Sequence, residues 1–309
     1  MQLQQLRYFT AVAELGNFTR AAERLHVAQP SLSQQIKALE RELGAELLHR
    51  TRGATTPTDA GEALLPLARR ILADTDSARL AVQETVQLRR GRVRLGAPPS
   101  LCVSLLPDVL GAFRGRFPGV DLQISEGGSG DLVAALDAGE LDLALIVSPS
   151  PGGGTLPTLA VTPLLHEDLV LVSARPLPHQ AVAVEELRDR PLVMFRAGYA
   201  LRDATLAACR EAGFEPRFAV EGGEMDAVLG FVRAGLGPAV VPAMVAARSG
   251  LPTARFTGAG LGRTISLAHG RDIPLGRAAD RMRATVAEQL AAQARRGELP
   301  EGTRLLAAP

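Results

Sequence analysis

Lysine is nearly absent from this chain: Lys37 is the one lysine, and every other basic side chain is arginine. That is the bias a GC-rich genome gives, and by itself it names no partner. Cysteine is scarce too. Cys102 and Cys209 lie far apart in sequence, which excludes a disulfide framework and fits a reducing cytoplasm. No apolar run is long enough to span a bilayer. No basic start is followed by an apolar core and a cleavage site, so export is not expected. Neither charge dominates: 34 basic residues meet 33 acidic ones, a formal net charge of +1, and no partner follows from it. No internal repeat implies a solenoid. Enzyme signatures are missing as well. There is no Gly-rich phosphate loop, no spaced His/Cys metal set and no G-x-S-x-G elbow. "GGSGD" is more simply a turn. No catalytic residue, metal or cofactor is therefore expected.

What is present suits a globular protein of two or three domains, with 309 residues, 46% apolar and 22% charged. A first helix reads from Gln4 to about Gly16, with Leu6, Phe9 and Ala13 as its stripe. "GNFT" breaks it, and Thr19 can cap a second helix through about His26, with Phe18, Ala22 and Leu25 inward. Pro30 suits the first position of a third helix, where its missing N–H costs nothing. In that helix Leu32, Ile36, Leu39 and Leu43 recur at helical spacing.

Helix, short turn, helix is the shape of a helix-turn-helix. Its second helix enters the major groove with the N-terminal turn leading. Gln29, Ser31, Ser33 and Gln34 occupy that turn. Gln can bond adenine through both edge groups, and Ser can bond several bases or a phosphate. Lys37, one turn on, reaches backbone phosphate. Arg50 and Arg52 flank a Gly-containing turn that suits a wing. Residues 1–58 hold seven basic and five acidic side chains, a net of +2, so binding would lean on a concentrated patch and on dimerisation. The alternative reading is a polar face that is merely solvated.

"LRYFTAVAELGNFTRAAERLHVAQPSLSQQIKALERELGAELLHRTRGATTPTDAG" resembles the N-terminal domain of the LysR-type transcriptional regulators. "QPSLS", "LE", "LG", "LL.R" and "T.AG" stand in the family order. The resemblance implies a winged helix-turn-helix over residues 1–58 that binds double-stranded DNA. It puts base contacts on Gln29, Ser31, Ser33 and Gln34, and backbone contacts on Thr19, Lys37, Arg50 and Arg52. Pro30 would be structural, and Gln34 stands where relatives vary.

Residues 59–91 read as one long helix. Thr58 or Asp59 can cap it, with Glu62 in its first turn. Leu64, Ala68, Ile71, Leu72, Thr75, Ala78, Val82 and Val86 continue a stripe, Pro66 can bend its start, and Gly91 stops it. It either packs on its own domain or forms an antiparallel pair in a dimer. The resemblance supports the dimer, which would place two reading helices on an interrupted palindrome.

From Arg92 the pattern alternates strands and helices, an α/β arrangement with mostly parallel sheet. The resemblance implies a two-lobed, periplasmic-binding-protein-like (type 2) effector domain over 92–309. Lobe I would take 92–162 and 267–296, and lobe II 163–266. The tail "GELPEGTRLLAAP" shows no periodicity. Ligands in such folds bind at the carboxyl ends of strands. That rule selects Ser100, Gly128, Ser129, Ser148, Arg196, Tyr199, Arg202, Glu224 and His269. Taken singly, Ser100 and Ser129 also read as helix caps, Arg202 as the partner of Asp203 or Glu211, and His269 as a surface residue. Ser100 and Arg196 lead the set. Arg196 with nearby helix N-termini points to a small carboxylate or another anion.

"GYALRDATLAACREAG" is similar to a segment of the peroxide-sensing branch of the family. There one reactive cysteine stands just before "LRD" and its partner at the place of Cys209. Here the first position is Ala200, so that two-cysteine switch cannot form. Cys209 reads as a small buried hydrophobe. The expectation is a cytoplasmic, effector-responsive regulator without a cofactor, a dimer or dimer of dimers, contacting RNA polymerase if it activates, with no membrane partner. The alternatives are a redox sensor using Cys209 on the same scaffold, and a solute-binding protein without DNA function, which leaves the first ninety residues unexplained.

Overall fold

The computed structural model describes residues 1–51, 54–86, 91–148, 156–258 and 261–306. The chain forms two compact units, one of residues 1–88 with 134–141, the other of 89–133 with 142–309.

In the first unit α1 runs Leu3–Leu15, α2 Phe18–Arg24 and α3 Gln29–Leu43. Gly16 ends α1 at φ 61°, a left-handed conformation that suits glycine. The cap of α2 is Asn17 rather than Thr19: its Oδ1 accepts from the backbone N–H of Thr19 and Arg20, at 2.8 and 3.1 Å. Asn is as good a cap as Thr, and it stands one residue before the helix. Pro30 sits in the first turn of α3. Leu32, Ile36 and Leu39 are fully buried against Leu6, Phe9 and Ala22. Each such burial contributes roughly 1.5–3 kcal/mol relative to exposure. Leu43 departs from the expected stripe. It is the last residue of α3 and 43% exposed, because the core ends a turn earlier.

Strands β1 Leu48–Thr51 and β2 Ala54–Pro57 pair antiparallel as a wing. The Thr55 N–H donates to the Gly16 carbonyl at 2.9 Å, tying the wing to the end of α1. Helix α4 spans Asp59–Val86. Thr58 caps it, its Oγ1 accepting from the Gly61 N–H at 3.1 Å. Ala68 is buried, and Leu64, Leu65, Ile71 and Leu72 pack partly buried on the same core as α1. The first half of the stripe is thus covered within its own unit. Residues 87–90 lie outside the described residues, and Gly91 opens the next strand.

In the second unit come β3 Gly91–Ala97, α5 Pro99–Ser104, α6 Leu106–Arg116, β4 Val120–Glu126, the start of α7 Ser129–Asp137, whose residues from 134 on are grouped with the first unit, and β5 Leu143–Ser148. Then β6 runs Leu159–Val172, β7 Ala181–Val182, a 3-10 turn Val184–Leu187, and β8 Leu192–Met194. They are followed by α8 Ala200–Glu211, β9 Phe218–Glu221, α9 Met225–Arg233, β10 Ala239–Pro242, α10 Ala243–Ser249 and β11 Thr253–Phe256. The chain returns through β12 Gly262–Gly270, α11 Arg277–Arg296 and β13 Thr303–Leu305.

The expectation of mostly parallel pairing is corrected. β3 pairs parallel with β4 and β5, β7 with β11, and β8 with β9. All five other described pairings in this unit, four of them on β6, are antiparallel. β6 is a long crossing strand. Its first half lies between β12 and β13, its second half between β10 and β11. Two cores follow. Leu164, Leu165 and Ile265 pack with Val93, Leu95 and Phe113 in the first, although the lobe boundary expected from sequence puts all three in lobe II. Leu169–Val172 pack with Phe195, Val228 and Val241 in the second.

Candidate functional site

On α3 the side opposite Leu32, Ile36 and Leu39 is open. Gln29, Ser31, Gln34 and Lys37 are exposed, and Ser33 is half-buried. Thr19 is exposed on α2 and shares a shallow depression with Gln29 and His26. Gln34 and Lys37 line a groove with Arg41 of α3 and Leu48 of β1. Glu40 fixes the root of the wing by accepting from the Leu47 N–H at 3.1 Å. Arg50 lies on β1. Its side chain, and the whole of Arg52, fall outside the described residues. Seven of the eight residues singled out for this face are therefore placed on the helix-turn-helix or its wing.

The second unit holds a cavity of about 430 Å³ at the carboxyl ends of β3, β4 and β5. Of the residues selected from sequence, Ser100, Gly128, Ser129, Arg196, Tyr199 and Glu224 line it. Ser148, Arg202 and His269 do not. Val147 lines the cavity, and side chains alternate along a strand, so Ser148 is aimed to the other face of β5. Arg202 turns back: its Nη1 donates to the Phe195 carbonyl at 3.0 Å and its Nη2 pairs with Glu221 at 2.7 Å, not with Asp203 or Glu211. His269 fails for a topological reason. β12 is antiparallel to β5, with Thr264 opposite Ser148 and Ala268 opposite Ala144. The start of β12, not its end, lies level with the carboxyl ends of its neighbours.

That reversal brings in Arg263, which sequence reasoning missed. Arg263 is buried, and its Nη1 donates to Ser100 Oγ at 2.9 Å. Its Nε donates to Glu167 Oε2 at 2.9 Å, while Nη2 stands 2.8 Å from the same oxygen, in ion-pair contact without hydrogen-bond alignment. Glu167 is fully buried and accepts the Met244 N–H through Oε1 at 2.8 Å. Two buried charges are tolerable only when paired and further hydrogen-bonded, and Ser100 and the α10 backbone supply those bonds. Ser100 is thus held by an arginine. Its helix α5 has only six residues, too short to act as an anion site by its dipole. Ser129 Oγ is likewise committed, accepting from the Val147 N–H at 3.0 Å.

Arg196 leads the other wall. Its Nε donates to Glu224 Oε1 at 2.8 Å, and both side chains are about half exposed, so the pair contributes at most about 1 kcal/mol and can open to a ligand. Tyr199 caps α8 without a side-chain bond to it and stacks on Phe195 at 4.7 Å. Burial pushes the Tyr199 phenol above its ordinary value. Arg263 and Arg196 pull it down, and Glu224 and Glu126 push it up. Glu126 and Asp131 complete the acidic lining. Neither was selected from sequence. Their signal was position, one at the end of β4 and one in the first turn of α7.

The cysteines are poorly placed for chemistry. Cys209 is buried, and burial raises its thiol to about 11, with Glu215 adding to the rise. Cys102 is raised to about 11 for the same first reason, with Glu126 adding. Thiolates, not thiols, react.

A winged helix-turn-helix joined in one chain to a ligand-sized cleft between two α/β cores defines a DNA-binding transcriptional regulator with an effector-binding domain, not an enzyme. Residues 3–62 match the bacterial regulatory helix-turn-helix protein model of the lysR family, and residues 87–291 match the LysR substrate binding domain. The chain belongs to the LysR family of transcriptional regulators. It is 35% identical to the nitrogen assimilation regulatory protein nac of Klebsiella aerogenes, over 78% of each chain. It is 36% identical to a probable hydrogen peroxide-inducible genes activator of Streptomyces viridosporus, over 86% of this chain and 87% of that one. Among solved structures it resembles full-length CbnR in complex with its target DNA, at 28% identity and a TM-score of 0.66, over 94% of this chain and 99% of that one.

Proposed function

We propose that the exposed face of α3 reads operator DNA and that the cleft lined by Ser100, Arg196, Tyr199, Glu224 and Arg263 takes a small effector that switches promoter activity. Residues 1–58 are the DNA-binding domain, 59–91 the connecting and dimerising helix, and 92–309 the effector-binding domain. The observation that carries the DNA reading is the separation of faces on α3, with three buried leucine and isoleucine side chains on one side and Gln29, Ser31, Gln34 and Lys37 in solvent on the other. Base contacts fall to Gln29, Ser31, Ser33 and Gln34, and phosphate contacts to Thr19, Lys37, Arg50 and Arg52. The protein works in the cytoplasm as a dimer or tetramer on an interrupted palindrome, reaching RNA polymerase where it activates. The buried, raised thiol of Cys209 disfavours the redox alternative.

The test is fluorescence anisotropy on a duplex selected by the wild-type protein. Ser33→Ala should lose about 1–3 kcal/mol on that duplex and little on a scrambled one. Lys37→Ala should weaken both alike and reduce the salt slope by about one. Equal losses on both duplexes for Ser33→Ala would remove it from the base-reading set.

A further inference from the structure

An anion was the sequence expectation for the cleft, resting on Arg196 with nearby helix N-termini. The cavity contains three carboxylates, on Glu126, Asp131 and Glu224, against two guanidinium groups, on Arg196 and Arg263. Arg263 is already neutralised from behind by buried Glu167, and Arg196 pairs with Glu224. Glu126 and Asp131 are left, and neither has a basic partner within ion-pair distance among the described residues. A plain anion would enter against that surplus. The described residues also contain no group of three His, Cys, Asp or Glu set to hold a metal ion, so these two carboxylates suit an organic cation.

Tyr199 brings a different chemistry to the same cavity. Tyr199 is only 8% exposed, lines the cavity, and its hydroxyl has no hydrogen-bond partner among the described residues. It stands at the N-terminus of twelve-residue α8, whose first residues Ala200 and Leu201 also line the cavity and which has no side-chain cap. An uncapped helix start, an unsatisfied phenol and the openable Arg196 together fit a carboxylate. A buried hydroxyl is costly to leave unpaired, and a ligand oxygen would satisfy it.

We infer that the effector is a small zwitterion that sets an ammonium group against Glu126 and Asp131 and a carboxylate against Tyr199, Arg196 and the start of α8. The inference rests on the cleft being the effector site, as proposed above.

Titration calorimetry on the full chain with the twenty standard α-amino acids tests it. Each binder is compared with its N-acetyl derivative and its decarboxylated amine, and succinate and benzoate serve as plain anions. At least one amino acid should bind, and removing either charged group should weaken it tenfold or more. Glu126→Gln with Asp131→Asn should lose that amino acid while the circular dichroism spectrum and thermal transition are kept. No amino acid binding, or an N-acetyl derivative binding as tightly, overturns the inference. Plain anions that bind the wild type and are lost in Arg196→Ala sink the ligand class but leave the cleft as the site. An amino acid whose affinity is unchanged by both Arg196→Ala and Tyr199→Phe sinks the cleft assignment, and the inference with it.

Discussion

Glu167 and Arg263 have no access to solvent worth the name, at 0% and 6% exposure, so each depends on the other. Removing one charge of a buried pair typically costs about 3–5 kcal/mol, because the survivor stays buried alone. Arg263→Ala should therefore lower unfolding stability by that order in a denaturant titration. Adding Glu167→Gln should recover part of the loss, since the stranded charge goes with it. Equal instability of the single and double variants would contradict the pairing. The cysteines make a pH prediction. Burial holds both thiols near 11, above their ordinary value of 9.0. Below pH 9 both states keep the proton and nothing changes. Between about pH 9 and 11 the unfolded chain releases protons that the folded chain retains, so stability falls as pH rises. Replacing both cysteines with Ala should flatten that part of the stability profile. At neutral pH, iodoacetamide should label Cys209 slowly in the folded protein and rapidly in denaturant.

At the scale of elements, the joint between wing and α4 turns on one atom of space. A Cβ on Gly61 would stand 2.1 Å from the Leu47 carbonyl oxygen. That oxygen accepts the Thr58 N–H at 3.0 Å and cannot easily move. Gly61→Ala should cost about 1–3 kcal/mol, the usual range for overpacking, and lower the melting temperature. Gly44→Ala, with nothing within 4 Å but a φ of 70°, is a strained but roomy control. β6 carries its own irregularity. Pro163 lies inside it, and the register with β12 shifts between Ile265 and Ser266, next to where Pro163 pairs. A bulge is where a central strand tolerates proline.

At the scale of the molecule, helices α1 to α4 were legible because their apolar residues recur at helical spacing. β3 and β4 were legible by their alternating apolar residues and β5 as an apolar run, and β12 was read from "TISLAHG". The first half of β6 was not, because Pro163 and His166 interrupt it, nor were β7, β11 and β13, which have two to four residues each. The cleft was legible where residues follow parallel strands, as at Gly128 and Arg196. It was lost where the chain returns antiparallel, which hid Arg263 and misplaced His269. No local pattern reports strand direction, because pairing is set by elements more than ninety residues apart, such as Glu167 and Arg263. DNA recognition by α3 is the claim on which the rest depends, and Gln34 tests it most directly. Random duplexes should be selected in parallel with the wild type and Gln34→Ala, at one fixed salt concentration. The preferred base should change or relax at one position in each half-site, with the flanking preference kept. An unchanged preference at every position would contradict the assignment of Gln34 to base reading.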